Sequence, residues 1–523
     1  MAKYIIRRLV HGLISVVIVV AIIMIMVYSL LDRQLIFATD NVYRNLGNNA
    51  KSIYKYQKWE EYGYIDYVPY AEWLQELQRN GEIDEETRSA AVAIAKQSKN
   101  DKGVVKEYVN KFVHEFKSRG YHVIRLKAIM VSKKKYANGG QQQLFAWKNK
   151  PLVGRLTGYF KNLVTVDKVS YAKDEIENRG ISFTTHDPVY GGNKFSPAII
   201  GNGTKSKYLL YFDNKFPFIH QNLISINLGK SYTVNAGVDV FTTMTTTQGT
   251  YVMGEVTYPT GLTEQSADNL HTATYVPNSI NANASLAQRF TDNYTSLSTN
   301  KAGKSKMGYS FTIGIISTML AYLLGIPIGI VMAQKKDKLV DKIGTIYIVF
   351  IIAVPSLAYI FLFKAIGGKL GLPTTFDMDS KNKLMYFLPI ISLALPSIGG
   401  LMRWLRRFMI DQMNSDYVKF ARSGGLSEHE IFSKHIAKNA IIPIVHGVPG
   451  SILFAMTGAI ITERVYVVPG AGGLLTQAIG AYDNGVIVGV TLFYASLSVI
   501  AIILGDVLMS LVDPRISFTS KAR

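Results

Sequence analysis

Six long runs of apolar residues punctuate the chain, and each has the length that a membrane-spanning helix requires. A bilayer core about 30 Å thick needs roughly 20 mainly apolar helical residues. A polar stretch, residues 32–308, separates the first run from the other five, which follow one another closely. The pattern predicts a polytopic α-helical membrane protein with six transmembrane helices, at residues 9–31, 309–333, 343–366, 385–402, 441–461 and 485–511.

Basic residues in the short connections predict which side of the membrane each segment faces, because Lys and Arg are retained on the cytoplasmic side. With the amino terminus inside, the cytoplasmic segments hold 17 of these residues and the short outer connections hold 5. The first run exceeds the apolar core of a signal peptide and no small-residue cleavage site follows it, so we interpret it as a retained anchor. Both termini are therefore predicted to be cytoplasmic, and residues 32–308 extracellular.

The composition narrows the function classes. Hydrophobic residues make up 48% and charged residues 18% of the 523 residues, which argues against a disordered or collagen-like chain. The formal net charge of +20 could indicate nucleic acid, but membrane topology and anionic lipid headgroups account for the inner share of it. We therefore predict contact with membrane lipid and no nucleic-acid partner. The absence of Cys excludes disulfides, thiolate metal sites and a Cys nucleophile.

The polar stretch between the first two apolar runs has the features of a folded module. Pro69 and Asp84 can each precede a helix, and a third helical pattern, with apolar residues at steps of three and four, ends before Gly120. Residues 281–306 are polar and are predicted to be a tether into the second transmembrane helix. No catalytic or metal-ligand motif stands out. The stretch predicts a large α+β extracellular domain inserted between helices 1 and 2, with strands near 121–130, 207–212 and 251–258.

The loop between the fourth and fifth predicted spans, residues 403–440, is the most informative cytoplasmic segment. Its core predicts a helix that is broken at Gly424 and Gly425 and restarted by Ser427 as the N-cap. We predict that this second helix ends at Asn439 and that Pro443 opens the next span. Such a helix–turn–helix, connected at both ends to membrane helices, has the design of a rigid lever. From local chemistry alone, an amphipathic helix lying on lipid headgroups is the favoured interpretation.

This loop resembles the coupling loop of binding-protein-dependent ABC importer permeases, in the oligopeptide/dipeptide branch. The resemblance rests on an Ala and a Gly four residues apart, followed by a His-x-x-x-Asn-Ala-x-x-Pro stretch. The family's usual Glu-Ala-Ala opening is Lys-Phe-Ala here. The resemblance implies that the loop couples separate ATPases to the spans. Its predicted coupling residues are Ala421, Arg422, Gly424, Gly425, Leu426, Ser427, Glu428, His435, Asn439 and Pro443.

Further segments match the same branch in the same order. They are Arg7-Arg8-Leu9 before the first span, residues 218–232 before the second, and Asp513-Pro514-Arg515 near the carboxyl terminus. The long outer segment, roughly residues 35–205, is similar to Ami C type subunits of Gram-positive oligopeptide importers. After the fifth span, residues 462–475 look like the family's Glu…Pro-Gly-x-Gly loop, which gives a possible outer gate at Glu463, Pro469, Gly470 and Gly472.

The resemblance implies a type I ABC importer permease fold and a place in a larger assembly. The expected partners are a homologous second permease subunit, two ATP-binding subunits, an extracellular lipid-anchored peptide-binding protein and the oligopeptide substrate. The chain contains no Walker motif, so ATP and Mg are expected on the partner ATPases, with no cofactor or metal and no catalysis in this chain. The expected location is a bacterial plasma membrane, and the chain is expected to form half of a translocation pathway.

Two alternatives from other classes stay open at this point. A membrane-anchored peptide sensor or receptor would use the outer module for binding, but the longest cytoplasmic stretch is too short for an output domain. An intramembrane hydrolase would need paired Asp residues, a Ser/His pair or an HExxH motif within the spans, and none is visible.

Overall fold

The structure is a computed structural model that describes residues 2–94, 101–126, 130–132, 135–136, 143–187, 195–212 and 218–512. Its first helix, α1 (Ala2–Leu30), is apolar along most of its length and leads into the long polar stretch. The predicted Asp513-Pro514-Arg515 motif lies outside the described residues.

The segment predicted to be extracellular, here called the outer segment and covering residues 32–305, combines short helices with small sheets. Two helix starts follow the predicted chemistry: one begins directly after Pro69, and the Asp84 carboxylate accepts a hydrogen bond from the Thr87 N–H at the next. The third predicted helix ends at Ser118, before Gly120. The helices are α2 (Asn41–Asn45), α3 (Asn48–Glu61), α4 (Tyr70–Arg79), α5 (Glu85–Ala91), α6 (Gly103–Ser118), α7 (Leu152–Lys161), α8 (Val240–Thr245), α9 (Ser279–Ala282) and α10 (Ala284–Arg289).

All strand pairs described in the outer segment are antiparallel, and they include both local hairpins and pairs of strands that lie far apart in the sequence. The strands are β1 (Ile65–Pro69), β2 (His122–Leu126), β3 (Met130–Ser132), β4 (Lys135–Tyr136), β5 (Gln143–Asn149), β6 (Val164–Val166), β7 (Gly180–Thr184), β8 (Ala198–Asn202), β9 (Tyr208–Phe212), β10 (Ile219–Gln221), β11 (Ile224–Ile226), β12 (Gly254–Thr257), β13 (Thr263–Ser266), β14 (Asp268–Tyr275) and β15 (Tyr294–Thr299). One sheet has the order β1-β5-β2 and another β10-β9-β8-β7, and the remaining strands form two-stranded ribbons.

The predicted tether at residues 281–306 is wrong. This segment contains α10 and β15, and β15 pairs with β14 along the edge of the module. Its polar composition misled the prediction because a two-stranded ribbon with one solvated face needs few apolar residues. Ser305 ends the segment by capping the next helix, since its side chain accepts a hydrogen bond from the Gly308 N–H.

The carboxyl-terminal half is helical. Four of its helices, with α1, are long and apolar enough to cross a membrane, which makes five among the described residues. A sixth crossing is possible if a pair bent by 109° counts as one span. The helices are α11 (Lys306–Gln334), α12 (Leu339–Ala353), α13 (Ser356–Lys369), α14 (Phe387–Met413), α15 (Asp416–Ser423), α16 (Glu428–Glu430), α17 (Lys438–Gly458), α18 (Ile460–Tyr466), α19 (Ala471–Gly480) and α20 (Asn484–Val512).

The structure corrects the boundaries of three predicted spans. The third is broken between α12 and α13, where Pro355 cannot continue the first helix. The helix of the fourth span does not end at residue 402, because α14 continues through its arginines to Met413. The helix that contains the fifth span begins well before residue 441, since the chain is helical without interruption from Glu428 to Met456.

Glycines in α11 allow close contact with α14. A Cβ on Gly325 would lie 3.0 Å from the Leu401 Cβ, and one on Gly329 would lie 3.3 Å from Leu405. Pro327, between these glycines, stays inside a continuous helix. The small residues therefore serve helix packing at this crossing.

Candidate functional site: an elbow and a loop around Glu463

The predicted coupling residues centre on a bend that we call the elbow, residues 416–437. The first helix, α15, ends in a Schellman motif, in which the Leu426 N–H donates to the Ala421 carbonyl and the Gly425 N–H donates to the Arg422 carbonyl. Gly425 has φ +85°, a left-handed conformation that favours glycine. Gly424, at φ −75° and ψ 0°, has a negative φ that residues other than glycine also adopt. The turn therefore depends on the second glycine.

A capping box starts the second arm of the elbow. The Ser427 side chain accepts a hydrogen bond from the Glu430 N–H, and the Glu430 carboxylate accepts one from the Ser427 N–H. The Ser427 hydroxyl and the Ser427 N–H, which both donate to the Glu430 carboxylate, lower the pKa of Glu430 below its ordinary value, and the Lys434 ammonium adds to this effect. The chain then winds as a π-helix over Ile431–Ala437 before α17 begins.

One bidentate ion pair joins the two arms across the turn. The Arg422 Nε lies 2.5 Å from the Glu428 Oε1, and its Nη2 lies 3.0 Å from Oε2. The guanidinium lowers the pKa of Glu428, so the carboxylate stays ionised at physiological pH. The contribution of the pair to stability is complete above pH 4.5, the ordinary pKa, and is lost as the pH falls through the lowered value. Both side chains are exposed, so the pair orients the arms more than it stabilises them.

The inner face of the elbow is buried beneath the helix bundle. Val418 and Ala421 on one arm and Ile431 on the other pack with Leu405 and Met409 of α14. The opposite face of the elbow is exposed, with 78% of Phe420 and 38% of Leu426 accessible. The elbow therefore has one apolar face packed on α14 and a second apolar surface that is exposed.

The remaining predicted coupling residues lie away from the turn. His435 is half-buried in the π-helical segment, and Asn439 is half-buried in the first turn of α17. Pro443 does not open the span: it lies inside α17, as does Pro449. The second arm therefore does not end at Asn439 but runs directly into the membrane helix, so any movement of the elbow passes into that helix without an intervening loop.

The predicted outer-gate residues are grouped by the Glu463 side chain, which is 1% exposed. Its carboxylate accepts hydrogen bonds from the Ser310 hydroxyl of α11 and from the Gly473 N–H at the start of α19. Ser310 in turn accepts from the Ala471 N–H. Gly470 is pressed against the same carboxylate, whereas Pro469 is half-buried at the preceding bend. The outer loop, residues 462–473, is thus locked around one buried acid.

Tyr466 ties this outer loop to other spans. Its hydroxyl hydrogen-bonds the Ser392 hydroxyl of α14 at 2.9 Å, and its carbonyl accepts from the Phe376 N–H at 2.8 Å. Lys364 of α13 donates to the neighbouring carbonyl of Val465. Elements α11, α13, α14 and α19 therefore meet at the loop, and a change in their spacing must alter it.

The two glycines around Glu463 give a matched stability prediction. A Cβ on Gly470 would lie 2.2 Å from the carboxylate carbon of Glu463, so Gly470→Ala forces the buried acid to move. A Cβ on Gly473 meets no atom within 4 Å. We expect Gly470→Ala to lower the thermal unfolding midpoint of the detergent-solubilised chain by several degrees, equivalent to about 1–3 kcal/mol, and Gly473→Ala to leave it unchanged. Equal midpoints for both variants would contradict this packing.

Sequence reasoning missed two acids that organise the helices. Asp341 of α12, 2% exposed, forms a bidentate pair with Arg406 of α14, at 2.5 and 2.6 Å. The signal was one of two acids within a cluster of four lysines that directly precedes an apolar run. Ser310 was missed as well, and no sequence signal marks it. Among the described residues, no group of three His, Asp or Glu side chains could hold a metal ion.

The second missed acid, Asp483, joins the outer segment to the helices. Fully buried between α19 and α20, its carboxylate accepts hydrogen bonds from the Ser231 hydroxyl and from the N–H groups of Tyr232, Thr233 and Val234. We call this arrangement the latch. The sequence signal, an Asp-Asn pair directly before an apolar run, was present but was not interpreted.

Comparison with known proteins identifies the family. Residues 325–518 match the model described as "Binding-protein-dependent transport system inner membrane component". The whole chain is similar to the oligopeptide transport system permease protein AmiC of Streptococcus pneumoniae, with 32% identity over 534 residues that cover 100% of this chain and 99% of the relative. The chain belongs to the family of binding-protein-dependent transport permeases. The permease is thus a multi-pass protein of the plasma membrane.

Shorter relatives align with only part of the permease. The dipeptide transport system permease protein DppB of Lactococcus lactis is 29% identical over 212 residues, which cover 40% of this chain and 69% of the relative. The oligopeptide transport system permease protein AppB of Bacillus subtilis is 29% identical over 214 residues, covering 39% and 67%. The remainder of the chain aligns with AmiC. A full-length match to a permease gives the sensor alternative no support.

Proposed function

We propose that this permease forms half of the translocation pathway of an ATP-driven oligopeptide importer. The other half is a homologous second permease subunit, two separate subunits bind and hydrolyse ATP, and an extracellular lipid-anchored protein delivers the peptide. Relatives named as oligopeptide and dipeptide permeases support the substrate class. The proposed topology has six spans, with α12 and α13 as one bent span, both termini in the cytoplasm and residues 32–308 outside.

The elbow carries this proposal. Its buried face rests on α14, its second arm continues into α17, and its exposed face presents Phe420. Closure of the ATPase pair against that face would tilt α17 as a rigid body. The elements that would close the outer side are α11, α14 and the loop around Glu463. They contact the elbow or α17, so the same movement would alternate access between the two sides. ATP and Mg act on the partner subunits, and this chain contributes no catalytic group.

Purification of the intact assembly tests the proposal. We expect isolation in a mild detergent to recover a second permease-like chain and two ATP-hydrolysing chains with this one. Phe420→Asp should release the ATP-hydrolysing chains, because a desolvated charge opposes docking of an apolar face, while it retains the second permease. Phe195→Asp, at a side chain of the outer segment that is 74% exposed, is the control and should retain every subunit. A lone or homo-oligomeric wild-type protein would refute the proposal.

A further inference from the structure

The outer segment contains a groove that the proposed transport mechanism does not use. This outer groove has a volume of about 950 Å³ and is lined by residues 245–247, 252–257, 266, 268–270, 298–301 and 303. It lies where the β12–β13 ribbon diverges from the β14–β15 ribbon. A volume of several hundred Å³ is in the range of small-ligand sites.

The outer groove is fixed directly above the outer end of α11. Its wall pairs with the segment that leads into that helix: the Gln248 N–H donates to the Lys304 carbonyl, and the Gly249 N–H donates to the Ala302 carbonyl. The Thr250 N–H and hydroxyl both donate to Asp379, in the connection between α13 and α14. A molecule held in the groove would therefore lie beside the outer ends of the helices that form the proposed pore.

The lining chemistry suits peptide main chain. Hydroxyl and amide groups, which both donate and accept hydrogen bonds, line much of the groove. The nearby charges are mostly engaged, since Asp268 accepts from the Tyr258 hydroxyl and the Arg289 guanidinium, and Lys301 lies 5.1 Å from the Tyr251 ring centroid. This arrangement favours a ligand with many amide groups over an anion. The hydroxyl and amide side chains include Thr246, Thr257, Asn269, Ser298, Thr299 and Asn300.

One strand bordering the groove has an unpaired edge. The hydrogen bond from the Tyr258 N–H to the Leu262 carbonyl sets the β12–β13 register, so the main-chain groups of Glu255 and Thr257 point away from β13. Neither residue has a main-chain partner on that edge within the described part of the chain. An extended peptide can add to such an edge irrespective of its side chains. The four residues of β12 span about 13 Å.

Apolar side chains at one end of the groove would allow it to accept peptides with different side chains. Val252 and Met253 line it and are about half exposed. The flexible thioether of Met adapts to partners of different shape. We propose that the outer groove binds an extended oligopeptide segment, in a sequence-tolerant manner, before the peptide enters the pore. The choice of peptide as ligand rests on the proposed function; the position and lining of the groove do not.

Photocrosslinking on the full chain in lipid nanodiscs tests the inference. The probe is an Ala/Val pentapeptide with free termini and one photo-leucine, added without binding protein, and attachment is mapped by mass spectrometry. We expect attachment within residues 252–257. Thr257→Trp should lower the yield about tenfold by filling the groove. Thr263→Trp is matched, because Thr263 is the exposed cross-strand partner of Thr257 but lies outside the groove, and it should leave the yield unchanged.

The outcomes separate this inference from the proposed function. Absence of attachment in the groove, or equal yields from Thr257→Trp and wild type, overturns the groove as a peptide site. Uptake of the same pentapeptide by the complete assembly in vesicles is measured in parallel. Absence of uptake by wild type refutes peptide import, whereas normal uptake together with no attachment refutes the groove alone.

Discussion

Gly425→Pro should strongly impair coupled transport while leaving the permease inserted in the membrane. The native φ of +85° is incompatible with the proline ring, which fixes φ near −65°. Proline would also remove the N–H that donates to the Arg422 carbonyl. A cost of about 3 kcal/mol, typical of proline at an incompatible position, corresponds to a roughly hundredfold loss of the native bend. We expect both peptide uptake and peptide-stimulated ATP hydrolysis to fall more than about tenfold.

Two control variants distinguish the backbone requirement from general damage. Gly425→Asn should retain most uptake, because Asn tolerates the left-handed region and a Cβ at this position meets no atom within 4 Å. Gly424→Ala should also retain it, since that φ is negative and its added Cβ makes only ordinary contacts at 3.4 Å. Membrane insertion is checked by fractionation. Normal uptake by Gly425→Pro, or equal loss from all three variants, would show that the bend is not the coupling element.

The elbow was well predicted because its signals are local. A helix end, a left-handed glycine and a capping box are each determined by a few neighbouring residues. The turn at Gly425 and the helix start at Ser427 could therefore be predicted without tertiary information. The position of Pro443 inside α17 could not be predicted in this way. Whether a proline opens a membrane helix or lies within it depends on neighbouring helices that satisfy the freed backbone group.

Apolar length located the spans but not their ends. Arg403, Arg406 and Arg407 suggested that the fourth span had left the membrane, yet α14 continues beyond them to Met413. The reason is tertiary: Arg406 pairs with Asp341 on another helix, so charge inside this helix is compensated by a contact that no sequence window contains. Hydropathy reports burial in lipid, and helices can extend beyond it.

Long-range hydrogen bonds were the part of the site beyond prediction. Glu463 was identified from its loop motif, but its partner Ser310 lies 153 residues earlier in the chain. Asp483 and the segment that it binds are separated by about 250 residues, and the sequence of neither segment indicates that the two are in contact. Such pairs follow from the packed fold, because a buried carboxylate must be satisfied by whichever donors packing brings to it.

The latch supports the second large prediction, that Asp483→Ala should detach the outer segment from the helices. The substitution leaves the hydroxyl of Ser231 and the N–H groups of Tyr232, Thr233 and Val234 without their acceptor. Each unsatisfied buried donor costs about 1–3 kcal/mol, so the total local cost is at least about 3 kcal/mol. We expect amide hydrogen exchange at residues 232–234 to accelerate more than about a hundredfold.

Ser231→Ala provides the matched comparison for this prediction. It removes one donor and leaves the Asp483 carboxylate with its main-chain partners, so exchange at 232–234 should rise by no more than about tenfold. Because the latch joins the outer segment to the junction of α19 and α20, we also expect uptake to fall in Asp483→Ala while α14 and the elbow keep wild-type exchange. Equal exchange in both variants would mean that the surrounding tyrosine packing, with Tyr62 stacked on Tyr232 at 4.0 Å, holds the segments together without the acid. Loss of protection in the elbow as well would mean that Asp483 supports the whole fold and not the junction alone.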